Sequence, residues 1–173
     1  MALSLYETSV ATFVRTLTNL EGILDKAAAH ATAKKFDSAN YLAIRLAPDM
    51  LQFNRQIQIA TDHAKRASAR LAGVEAPVFE DNEKTIDELK ARIKKTIDYL
   101  KTLKPAQVDG NEDKSVVVPA GQAKRTWPKG TDYLFVNALP NFFFHVTTAY
   151  AILRSAGVDI GKGDFIGPQP PAV

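Results

Sequence analysis

Apolar residues recur at steps of three and four along four long stretches of this 173-residue chain, a period that selects helices over strands. In the first stretch, Tyr6, Val10, Phe13, Val14, Leu17, Leu20 and Leu24 share one face. Ser4 stands as N-cap and Glu7 follows at capping-box distance, so a helix of about six turns is expected. The second is read from Pro48, suited to a first helical turn, through Phe53, Ile57, Ala60, Ala64, Ala67 and Leu71 to a stop at Gly73. The third runs from a cap at Asn82 through Ile86, Leu89, Ile93, Ile97, Leu100 and Leu103 and is closed by Pro105. The fourth spans Thr131 to Gly157. From Leu139 to Ala151 it is apolar nearly all round, which predicts the most buried helix of the four. Pro140 lies inside it and predicts a kink or a break.

The connections carry their own signals. Ser115–Val118 and Ala123–Trp127 read as two short strands about a turn at Pro119–Gln122, a small hairpin between the third and fourth helices. Asp37 to Arg45 reads as a short extra helix capped by Asp37. The glycines at 157, 161 and 163 follow a helix instead of opening one, so 158–173 is expected to be a flexible tail. The expected architecture is all-α: one domain over 1–173, a four-helix bundle whose long connections permit crossovers.

Composition narrows the chemistry. Cysteine is absent, which removes disulfides, thiolate nucleophiles and Cys-ligated metal sites. No run approaches the roughly 20 apolar residues of a membrane span, and Glu7 and Arg15 interrupt any leader-like core, so a soluble, cytoplasmic protein without membrane partners is expected. The formal charge is +3, and the basic residues come as isolated pairs such as Lys34-Lys35 and Lys124-Arg125. A nucleic-acid binder would gather them on one face, so none is expected as a partner. There is no phosphate-binding glycine loop, serine elbow, His-Glu-x-x-His helix or EF-hand loop.

Three histidines remain. His145 follows Phe142-Phe143-Phe144 and has Asn141 and Thr148 at helical spacing, forming a polar stripe in an apolar helix. It reads either as a core histidine satisfied by a neighbouring helix or as a metal ligand or general base. His63 and His30 read as solvent-facing. His63 lies about 21 Å along a helix from Asp49, too far to share a site with it. Asp49 itself is accounted for by the dipole of a helix starting at Pro48. Asp62 and Asp98 read as solvated partners of basic residues on their own helices.

The segments Arg45-Leu-Ala-Pro-Asp-Met50, Leu139-Pro-Asn-Phe-Phe-Phe-His-Val-Thr-Thr-Ala-Tyr-Ala-Ile-Leu-Arg154 and Asp164-Phe-Ile-Gly167 resemble the DUF1993 family of bacterial proteins. That family is similar in turn to the DinB/YfiT-like superfamily of four-helix bundles. Many of its members hold a divalent metal through one histidine on the second helix and a His-x-x-x-His pair on the fourth. The resemblance implies Asn141 and His145 at the paired positions and Asp49 near the helix-two histidine, with His145 and Asp49 as the residual metal ligands. One imidazole, one carboxylate and one amide suit zinc or nickel poorly, so either no cofactor or a weakly bound divalent metal is implied. The leading expectation is a binding module in which Asp49, Asn141 and His145 form a polar pocket for a small-molecule ligand. The alternative is a metal-dependent transferase or isomerase using a low-molecular-weight thiol, and a third reading is a carrier of apolar ligands on the phenylalanine-rich helix. A homodimer is expected by analogy of fold.

Overall fold

The computed structural model describes residues 3–171. Its long helices are α1 (Thr12–Lys34), α2 (Phe53–Ala72), α3 (Ile86–Thr102) and α6 (Leu139–Ser155); the short ones are α4 (Pro105–Val108), α5 (Gly130–Asp132) and α7 (Lys162–Ile166). A two-stranded antiparallel hairpin, β1 (Val116–Ala120) and β2 (Ala123–Trp127), precedes α5. α2 packs on α6 and α3, while α1 packs on α3 and α6, so α1 and α2 occupy opposite corners of the bundle. The long α1–α2 connection spans that diagonal, and the α3–α6 connection spans the other. The core is one connected cluster built around Phe13, Phe53, Tyr133 and Phe142, with Phe13 and Phe142 edge-to-face at 4.8 Å. Alanines 60, 64 and 67 of α2 are fully buried, and their small side chains admit the neighbouring helices.

Several elements differ from their sequence signals for definable reasons. The first helical stretch begins at Leu5 and passes through a π-helical turn, Glu7–Ala11, into α1, so it exceeds six turns. Ser4 does cap it, accepting from the Glu7 amide at 3.1 Å. Glu7 does not close the box; Asp109 accepts from the Ser4 hydroxyl and the Tyr6 amide, both at 2.9 Å, tying α4 to the start of the chain. α2 starts at Phe53 instead of Pro48 because the Phe53 amide donates to the Ile44 carbonyl at 2.8 Å, holding the preceding residues in a turn. α3 is capped by Thr85, not Asn82, whose amide is turned to Glu80. Thr85 and Glu88 satisfy each other's backbone amides at 3.1 Å, a complete capping box. Asp37 caps a 3-10 turn, Ser38–Ala43, through the Ala39 amide.

The first strand runs on through Pro119 to Ala120, and only Gly121 and Gln122 form the loop. Gly121 has φ +63°, the left-handed geometry that a two-residue hairpin asks of its first loop residue. Pro140 does not break the fourth helix. A π-helical segment, Tyr133–Ala138, leads into α6 with Pro140 in its first turn, where proline is tolerated.

Two larger expectations are overturned. α6 is not buried all round: Phe144 is 57% exposed, and Phe135 and Val136 on the preceding turn are exposed as well, because α2 and α1 pack on one side of it and leave this side open. Nor are residues 158–171 a free tail. Val158 and Ile160 are buried, α7 lies on α1, and Lys26 pairs with Asp164 at 2.7 Å. Gly167, at φ +77°, passes so close to Asn19 that a Cβ there would collide with its amide.

Candidate functional site

α2 and α6 run antiparallel. At one end Gln56 meets His145; at the other, Arg70 meets Tyr133, and Leu71 lies against Gly130. His145 lies between two positions on one face of α2, meeting Gln56 through Nδ1 and, seven residues further along, the ring of His63. The two imidazoles are stacked, with centroids 5.8 Å apart and planes 18° from parallel. His63 is thus not a surface residue. Its sequence signal was the seven-residue spacing from a buried glutamine, legible only once the partner helix was known.

The tautomer of His145 follows from its partners. Gln56 Nε2 donates to the Leu51 carbonyl at 2.8 Å, and a carbonyl can only accept. The amide oxygen of Gln56 therefore faces His145 Nδ1 at 2.7 Å, which makes Nδ1 the protonated nitrogen and leaves the lone pair on Nε2. Burial lowers the pKa of His145. For His63 burial is again the main cause, reinforced by His145, Arg66 and Arg70, and together they bring it down to about 4. Both rings are neutral at pH 7, one of them with a fixed acceptor.

The remaining expected site residues do not join them. Asn141 spends its amide N–H on the Asn137 carbonyl one turn earlier, at 2.7 Å, and so serves the backbone of its own helix. Thr148 does the same with the Phe144 carbonyl. Of the polar stripe, only His145 reaches another helix. Asp49 lies exposed in the turn before α2, outside any helix, and the α2 residue that meets His145 is Gln56. Among the described residues no group of three or more His, Asp or Glu is arranged to hold a metal ion. Two imidazoles, one already hydrogen-bonded through Nδ1, and amides with committed nitrogens do not fit the superfamily's three-histidine centre. His30 is likewise not solvent-facing: its Nδ1 is 2.6 Å from the Tyr41 hydroxyl within a cluster that includes Phe36.

Beyond His63, α2 borders a cavity of about 460 Å³ between the helix and the hairpin, walled by Arg55, Ile59, Arg66, Arg70, Val118 and Pro119. Behind it lies a charge network of which the sequence disclosed one part, the pairing of Asp62 with basic residues on its own helix, but with Asp62 largely buried instead of solvated. Asp62 pairs with Lys65 and Arg66 on its own helix at 2.7 Å, and with Arg92 of α3 at 3.0 Å. Lys65 and Arg92 have side chains only 1% and 2% exposed. Arg92 also holds Glu83 at 2.9 Å and Asp81 at 3.0 Å, and donates to Thr61 at 2.8 Å. Phe79 packs its ring against Lys65, Arg92 and Lys95. Burial pushes the Asp81 carboxyl up, but the Arg55 hydrogen bond and the Arg92 charge outweigh it and hold its pKa below the ordinary value.

These features define a DinB-like helical bundle with a polar histidine pair between its second and last long helices. A solved structure described as a DinB family member protein from Shewanella denitrificans shares 38% identity with this chain, with a TM-score of 0.88, and the match covers 98% of this chain and 95% of that one. The chain belongs to the family described as Domain of unknown function (DUF1993), which matches residues 5–166. No curated protein matches. No helix among the described residues is long and apolar enough to cross a membrane.

Proposed function

We propose that the protein is a small-molecule-binding module whose recognition centre is the His63–His145 pair. The observation that carries this reading is the chain from the Leu51 carbonyl through Gln56 to His145 Nδ1, which holds one tautomer and presents Nε2 as a fixed acceptor. Holding a half-buried polar group in one orientation is what selective recognition requires. His63 links this centre to the adjoining cavity, whose volume lies within the range of small-molecule sites. The thiol-dependent transferase alternative needs a metal, and the donor set here supplies two imidazoles where the superfamily has three. Elemental analysis after equilibration with limiting Zn²⁺, Ni²⁺ or Mn²⁺ and removal of excess metal tests the choice. Metal-free protein is the expected result. Near-stoichiometric metal that disappears in His145→Ala and in His63→Ala, with the fold retained, would overturn the binding-module reading.

A further inference from the structure

We infer that the cavity between α2 and the hairpin is a binding site for a small organic anion, a carboxylate or a phosphate ester, held by Arg66 and Arg70 beside His63. This rests on the reading of the histidine pair as a recognition centre, since His63 belongs to both the pair and the cavity wall.

Helical spacing places Arg55, Asp62, Arg66 and Arg70 along one face of α2, all of them on the cavity. Its two acidic residues are already engaged. Asp81 is held by Arg55 at 2.6 Å and by Arg92; Asp62 is shared among Lys65, Arg66 and Arg92. Among the charged residues lining the cavity, Arg55, Arg66 and Arg70 thus outnumber Asp62 and Asp81 by one. Among the described residues Arg70 has no carboxylate partner: its Nη1 donates to the Tyr133 hydroxyl at 3.0 Å, and its guanidinium lies 6.0 Å from that ring. Arg66 is held only by an edge, through Nη2 to Asp62, and its side chain is 54% exposed.

Two guanidinium groups with unused N–H donors, converging on a partly enclosed space with excess positive charge, match the forked geometry of carboxylate and phosphate oxygens. His63 supplies a neutral ring with an N–H to donate. Burial chiefly, with Arg66 and Arg70 among the charges that add to it, holds the pKa of this ring down, and an anion lying between the two arginines would shift it back up. Ile59, Val118 and Pro119 give the opposite character, an apolar wall for the organic part of such a ligand. A purely inorganic ion would leave that wall unused.

The chain's only tryptophan, Trp127, packs 6.4 Å from Tyr133, the residue that Arg70 touches, and so provides a fluorescence reporter. The test is titration of the intact protein with phenyl phosphate, benzoate and inorganic phosphate, followed by Trp127 fluorescence and calorimetry at low and high salt. The expected result is saturable, salt-sensitive binding of phenyl phosphate or benzoate, tighter than inorganic phosphate. It should weaken by about tenfold or more in Arg66→Gln and in Arg70→Gln, and be unchanged in Lys124→Gln on the exposed strand. Preference between the two aromatic probes assigns phosphate ester or carboxylate. No saturable binding by the folded protein, or binding that survives both arginine substitutions, would overturn the proposal. If binding fails while nitrogen NMR still reports one neutral His145 tautomer, only the anion assignment falls. Loss of that signature would instead remove the histidine-pair reading beneath it.

Discussion

At the scale of single residues, His63 couples the site to pH. Its folded pKa of about 4 lies below the 6.5 of an unperturbed histidine, so between these values the unfolded chain binds more protons than the native one. Stability should therefore rise with pH across that window and level off above it, by an amount on the order of 2 kcal/mol once solvent screening is allowed for. The groups that set this slope are the buried site itself, His145, Arg66, Arg70 and Asp62, and the lowered pKa of His145 acts in the same direction. Urea unfolding at a series of pH values checks it, and His63→Phe should flatten most of the slope. Gln56→Leu should cost about 1–3 kcal/mol, since it strands the Leu51 carbonyl and His145 Nδ1 without partners. The same variant should convert His145 to a mixture of tautomers, visible by nitrogen NMR. His145 stood out in the sequence because a histidine amid phenylalanines breaks a pattern. Gln56 and His63 did not, since nothing in their own helix distinguishes them from surface polar residues.

At the scale of elements, the buried charges join helices that hydrophobic period alone would leave free to slide. Asp62 connects α2 to α3, and replacing it with Asn would leave Lys65 and Arg92 inside the protein without their shared carboxylate. Removing one partner of a buried network typically costs 3–5 kcal/mol, so Asp62→Asn should lower the denaturation midpoint by far more than loss of an exposed pair would. Equilibrium denaturant unfolding measures this directly. The helices were legible because a period near 3.6 persists over many residues. Their starts were not, because caps are chosen by backbone partners: Ile44 sets the start of α2, and Thr85 with Glu88 sets that of α3. The π-helical approach to Pro140 has no sequence signature beyond the proline itself.

For the whole molecule, the C-terminal segment closes the fold instead of trailing from it. A chain ending at Gly157 would lose the buried side chains of Val158 and Ile160 and the contacts of α7 with α1. At roughly 1.5–3 kcal/mol for each fully buried aliphatic side chain, it should be destabilised by several kcal/mol and show a markedly lower melting temperature by calorimetry. Of the glycines that suggested a loose tail, Gly157 turns the chain at φ +90°, while the close approach is made further on, by Gly167 beside Asn19. The sequence by itself determined the class of the protein: four amphipathic helices, a hairpin, and one histidine set apart in an apolar helix. Those features depend on neighbours within a few turns of the same chain. Only the tertiary structure decided which α2 residues face His145, that Asp49 lies outside the helix, and that arginines from α2 border a cavity under the hairpin. The first and the last depend on helix orientation and register between segments far apart in the chain, and the second on the backbone bond from Phe53 back to Ile44, none of which local periodicity encodes.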